Sequence, residues 1–212
     1  MNFYHQTDNN KVTVIGKVLS GFRYRNTVNG ERFYQVRLAV QRRGGRTDSI
    51  PLTVSERIVD TRKDFTGQTV RVLGEFRSYN ENLGTVSRLL LTVFVSEWEV
   101  WNFPLIEDSR NEIYLDGYVC REPVYRKTPA GHEIADIMVA VKRSYGKTDY
   151  IPGICWGRNA RFVTGGVSVG SHVQLSGKIQ SREYLKQKED NTQEKRTVYE
   201  VSVDRIRPLD NP

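Results

Sequence analysis

TDYIPGICWGR, residues 148–158, repeats with changes an earlier stretch of the same chain, TDSIPLTVSER at residues 47–57. Tyr150 and Trp156 stand in the later copy where the earlier one has Ser49 and Ser55. The match extends outward in both directions. Asn10, Gly16, Tyr24, Arg25, Ala39, Arg42, Asp48 and Pro51 recur without a gap as Asn111, Gly117, Tyr125, Arg126, Ala140, Arg143, Asp149 and Pro152. Beyond them, GQTVRVLGEFRS at 67–78 matches GSHVQLSGKIQS at 170–181, after an insertion of two residues in the second copy. Two units repeating at about 100 residues are each long enough to hold their own core, so the repeat predicts tandem domains rather than a solenoid.

Within each unit the apolar residues alternate in short runs bounded by glycine-bearing turns, the period of a half-buried strand. KVTVIGKVL and EIYLDGYVC open the units, FYQVRLAVQR and IADIMVAVKR follow, and then come TDSIPLTV and TDYIPGIC. A short helix is predicted at Glu56 to Asp64 and at Arg158 to Val163, each followed by two more strands. Five strands with a helix between the third and fourth describe a small Greek-key barrel, the OB-fold. The reading is thus all-β, with two tandem OB-folds: a first domain over 1–101, a linker over 102–110 and a second domain over 111–212.

Composition narrows the function. The formal charge of +7 favours phosphate polymers as partners, although an anionic membrane surface would also attract it. No apolar run approaches the roughly 18 residues of a membrane span, and Met1 to Asn10 is polar, which predicts a cytoplasmic protein without membrane association. Cys120 and Cys155 lie in apolar stretches without CxxC spacing and read as buried thiols, and no metal site or cofactor is predicted. His5, His132 and His172 are scattered, and HExxH, GxSxG and a phosphate-cradling GxxxxGK[ST] are absent, so no enzyme is predicted.

The second copy resembles the bacterial single-stranded DNA-binding protein family, with primosomal replication protein N as a near relative. The resemblance is carried by NEIYLDGYVCREPVYRKTPAGHEIADIMVAVKR, TDYIPGICWGRNA and GSHVQLSGKIQSREY, and it is weaker over residues 10–100. It implies sequence-tolerant binding of single strands in replication, recombination or repair, close to the nucleoid, by four OB-folds acting together. A chain with two would then form a homodimer. It also implies four base-stacking aromatics, which fall on Tyr145, Tyr150, Trp156 and Tyr184.

Physical chemistry gives the same residues a reason. Unstacked bases offer flat faces whatever their sequence, and each base stacked on an aromatic ring is worth about 1–3 kcal/mol. Cations must then follow the phosphates. The candidates are Lys142, Arg143, Lys147, Arg158, Lys178 and Arg182, with Arg42, Arg43, Arg46 and Arg77 in the first copy. Tyr79, Tyr24, Arg25, Tyr125 and Arg126 are further candidates, the Tyr24 and Tyr125 pairs in a loop where a structural role weighs equally.

The first copy lacks the rings, since its stacking positions hold Gly44, Ser49, Ser55 and Glu81 with Tyr79 close to the last. This predicts a division of labour in which the second domain stacks bases and the first supplies backbone contacts or oligomer surface. Trp98 and Trp101 are assigned to packing between the domains, and 186–196 to a long hairpin loop. The family's typical acidic tail has no counterpart after RPLDNP, which argues against recruitment of replication enzymes through a tail and for a plasmid, phage or accessory role. Two other readings stay open: a primosome accessory protein that docks to a helicase, and a barrel module that binds protein, for which Tyr145, Tyr150 and Tyr184 would be buried. Stacking and phosphate contacts do not read the 2′-hydroxyl, so RNA also remains open.

Overall fold

The computed structural model describes residues 8–42, 44–83, 86–104, 111–187 and 192–209. They form eleven strands and one helix: β1 (Asn10–Val18), β2 (Arg23–Val28), β3 (Glu31–Gln41), β4 (Thr47–Ser55), β5 (Thr69–Leu83), β6 (Val86–Val100), β7 (Asn111–Lys127), β8 (Glu133–Lys142), β9 (Thr148–Trp156), α1 (Arg158–Gly166), β10 (His172–Gln187) and β11 (Gln193–Pro208). The alternation that predicts the strands is visible in their burial. In β8, Ala135, Ile137, Val139 and Val141 are buried, and the residues between them on the other face are more exposed, except Ile134.

Strand pairing closes twice. In the first half β1 pairs with β3, β3 with β4, β4 in parallel with β6, β6 with β5, and β5 returns to β1. In the second half β7, β8, β9, β11 and β10 repeat this ring, with β9 and β11 the parallel pair. Gly16 on β1 and its repeat Gly117 on β7 stand where those strands lean on β3 and β8. A Cβ there would come within 2.6 Å and 2.5 Å of the Ala39 and Ala140 carbonyl oxygens, closer than packed atoms allow. The two rings join edge to edge through an antiparallel ladder of β1 on β7, from Asn10↔Leu115 to Val14↔Asn111, and their buried apolar residues form one connected core.

A reciprocal clamp adds to this ladder. Asp149 on β9 accepts the backbone N–H of Ser78 on β5, while Arg143 pairs with both Asp149 oxygens and donates to the Ser78 carbonyl. Asp48, Ser181 and Arg42 repeat these contacts from the other side. Residues that recur in the sequence therefore recur as one interface seen from both ends.

Four expectations change. Residues 56–64 form turns rather than a helix. The Asp60 side chain accepts the N–H of Arg62 inside the segment and Asp64 accepts that of Thr66 just beyond it, so local side-chain acceptors compete with a helical ladder. In the second half the helix does form, burying Ala160 and Val163 on one side. The segment assigned to the first loop makes a sixth strand, β2, paired with β3, and Tyr125 lies within β7. Trp98 packs on Phe22 and Phe65 inside the first half rather than between halves, because Trp98 and these phenylalanines together cap one end of its core. The 186–196 segment is largely strand, with residues 188–191 outside the described ones. Of the 102–110 linker, 105–110 also lie outside them.

Candidate nucleic-acid interface

Register places the site. On β9, Tyr150, Pro152, Ile154 and Trp156 alternate with buried Ile151 and Cys155, so they share the outer face. Opposite them on β8 lie Ala140, Met138, Asp136 and Ile134. The parallel β9–β11 pairing sets Ser202 beside Ile154, which brings Val198 and Glu200 to this face, and Arg196 with them. Across β10, Tyr184 stands opposite Arg196, Arg182 opposite Val198 and Lys178 opposite Ser202. One curved outer face thus carries Tyr150, Trp156, Tyr184, Arg182 and Lys178.

All four predicted stacking rings are exposed: Tyr145 by 56%, Tyr150 by 47%, Trp156 by 42% and Tyr184 by 37%. Tyr145 lies apart from the other three, on the turn between β8 and β9, where its hydroxyl accepts from Arg143 at 2.9 Å. Tyr79 of the first half comes close: the Arg143 guanidinium lies 5.4 Å from the Tyr79 ring centre and 5.8 Å from that of Tyr145, and Arg25 lies 5.2 Å from Tyr79. Burial raises the Tyr79 hydroxyl pKa, while Arg77 and Arg143 oppose the rise.

The cations divide. Lys142, Lys147, Arg158, Arg182 and Arg46 are exposed, and Lys178 is half-buried. Arg143 is not on the open surface, since its side chain is 7% exposed against a fully buried Asp149. Burial works against its charge, but the hydrogen bonds to Asp149 and Tyr145 more than offset this and hold the guanidinium ionised above its ordinary range. Arg42 is bound the same way to Asp48. Arg77 lies 3.8 Å above the Phe94 ring and pairs with Glu75 at 2.9 Å. These three predicted phosphate contacts are therefore committed to the protein's own packing. Arg126 pairs with Asp136 through two hydrogen bonds, and Tyr125 donates to Glu133. Tyr24 is exposed beside Tyr34, and Arg25 is half-buried. Arg43 lies outside the described residues.

The equivalent face of the first half is closed over. Phe33 packs at a tilt on Phe94 with ring centres 5.6 Å apart, Arg77 covers Phe94, and the buried Ser55 hydroxyl donates to Glu31. Ser49 accepts from Arg37, which also donates to Tyr199 of the second half. The sequence reading passed over Leu89, Leu90 and Leu91 of β6, which with Met138, Pro152 and Tyr184 line a cleft of about 340 Å³ on the outer face. Only the approach of the two halves reveals it. Among the described residues no group of three or more His, Cys, Asp or Glu could hold a metal ion, and no helix is long and apolar enough to cross a membrane.

The chain is similar to known proteins. The model of the single-strand binding protein family matches residues 110–209. A single-stranded DNA-binding protein of Clostridium tetani is 31% identical over 106 residues, 47% of this chain and 70% of that protein. Single-stranded DNA-binding protein B of Bacillus subtilis is also 31% identical, over 47% of this chain and 90% of its own length. The fold extends the likeness to both halves: the wild-type Thermus aquaticus single-stranded DNA binding protein superposes over 96% of this chain and 94% of that one, with a TM-score of 0.71 at 17% identity. By its second half, matched across most of these bacterial relatives, the chain belongs to the single-strand binding protein family.

Proposed function

We propose that the chain binds single-stranded DNA without strong sequence preference, by stacking bases on the second half and neutralising phosphates along its rim. The observation that carries this is the exposure of four aromatics at once, three of them on one face together with Arg182 and Lys178. Large rings left in water at matched positions are unusual unless they meet a partner. Relatives named single-stranded DNA-binding proteins support the choice of ligand. The chain acts as a binding protein rather than an enzyme, in the cytoplasm, where it would protect and organise single strands.

In this reading each closed ring of strands is an OB-fold domain, the first over residues 1–101 and the second over 111–212, and two chains assemble to present four. The first domain supports the second by the Asp–Arg clamp and leaves base stacking to it. A module that binds only protein is disfavoured, since Tyr145, Tyr150 and Tyr184 are exposed rather than buried.

The test is a fluorescence titration with oligo(dT) at several salt concentrations, set against duplex DNA. Quenching by the single strand, a weak response to duplex and a steep fall of affinity with salt support the proposal. No binding at low salt overturns it.

A further inference from the structure

The cleft between β6 and the outer face of the second half holds a half-buried acid. Glu200 lines it, with a side chain 16% exposed. Its nearest cation, Arg182, stands 3.9 Å away, beyond hydrogen-bond length, and among the described residues the carboxylate has no hydrogen-bond donor. Burial raises its pKa, Asp136 adds to the rise, and Arg182, Arg126 and Arg42 oppose it. The carboxylate is thus free to accept from a ligand that enters the cleft.

The walls indicate the ligand. Leu89 and Leu91 come from the first half, Met138, Pro152 and the Tyr184 ring from the second, which makes a slot with apolar sides. Pro152 sits between Tyr150 and Trp156 on β9, so the slot interrupts the row of exposed rings rather than lying apart from it. Arg182 and Arg196 also line it, the latter with two hydrogen bonds to Glu194. A flat heterocycle with an amino group on its rim, carried on a phosphate chain, fits all three features: it fills the apolar slot, brings its phosphate to the arginines and donates to the acid.

We propose that this cleft is a single-base subsite, shared between the two halves, in which Glu200 favours a base carrying an exocyclic amine, cytosine or adenine, over thymine. The proposal rests on single-strand binding by the outer face. It gives the first half, whose own face is closed over, a direct part in holding the strand through Leu89. A carboxylate accepts from the cytosine amino group, and thymine offers an oxygen at the same position, which the acid repels.

The experiment measures the anisotropy of labelled oligo(dC) and oligo(dT) with the full chain, at neutral pH and moderate salt, for the wild type, Glu200→Gln and Leu89→Ala. Glu200→Gln should shift the ratio of the two affinities toward oligo(dT) by about fivefold, the worth of one hydrogen bond. Leu89→Ala should weaken both ligands several-fold at unchanged stability. If Glu200→Gln raises both affinities equally, Glu200 only restrains Arg182, and base selection is overturned. If neither variant changes binding while the wild type still binds, the cleft is empty and the subsite falls, leaving the outer-face reading intact. Failure of the wild type to bind either oligonucleotide removes that reading and this one together.

Discussion

Asp149 on β9 accepts the backbone N–H of Ser78 on β5 at 2.6 Å, across 71 residues of sequence. Arg143 completes the contact, and Asp48 with Ser181 and Arg42 repeats it, so the two halves hold each other by two copies of one arrangement. Each aspartate is buried, and each accepts from both an arginine and a main-chain amide.

Removing one member of such a pair leaves a buried charge and an orphaned amide. Asp149→Ala should therefore lower the unfolding free energy by about 3–5 kcal/mol, read from the midpoint of urea denaturation. Asp48→Ala should cost less, because the Arg42 side chain is 25% exposed and can turn to water.

Stacking and clamping separate in a binding assay. Tyr150→Ser and Trp156→Ser should each weaken oligo(dT) binding by about 1–3 kcal/mol and leave the unfolding midpoint almost unmoved. Arg42→Ala should do the reverse, lowering stability with little change in the salt slope. Equal losses of affinity from the two kinds of change would contradict the division.

The free cations can be counted by salt. Each phosphate contact on a single strand contributes about 0.7 to the slope of log affinity against log salt. Lys147→Ala should lower the slope by about that amount, and Arg77→Ala, whose guanidinium covers Phe94, should leave it unchanged.

Cys155 gives the fold a pH dependence. Burial, with a smaller push from Asp136, raises its thiol pKa to about 12, whereas an unfolded thiol titrates near 8.5. The native state thus keeps a proton that the unfolded chain gives up. This contribution to stability is complete below about pH 8.5 and is lost progressively as pH rises toward 12, by up to about 1.4 kcal/mol per pH unit. Urea midpoints measured on either side of pH 9 should fall more steeply for the wild type than for Cys155→Ala.

Much of this was legible from the residues because the relevant signals are local. Period-2 alternation marks β8 and β9 and already separates inward Ile151 from outward Tyr150 and Trp156. The echo of TDSIPLTVSER in TDYIPGICWGR displays the loss of rings from the first half without any structure. The helix expected at 56–64 was not decidable by pattern, because Asp60 diverts the Arg62 amide inside the segment and Asp64 the Thr66 amide just beyond it.

The chain's sequence by itself determined the two copies, the strands and the face on which the rings stand, since each depends on neighbours a few residues away. Tertiary structure alone decided which cations face water. Arg143 and Lys147 belong to the same turn, yet one is sealed against Asp149 and Ser78 and the other faces water. The difference comes from a partner strand in the other half. Likewise the cleft of Leu89 and Tyr184 exists only where β6 meets the hairpin of β10 and β11. Burial and charge pairing are sums over everything that comes near in space, and closeness across the two halves is not written at any one position of the chain.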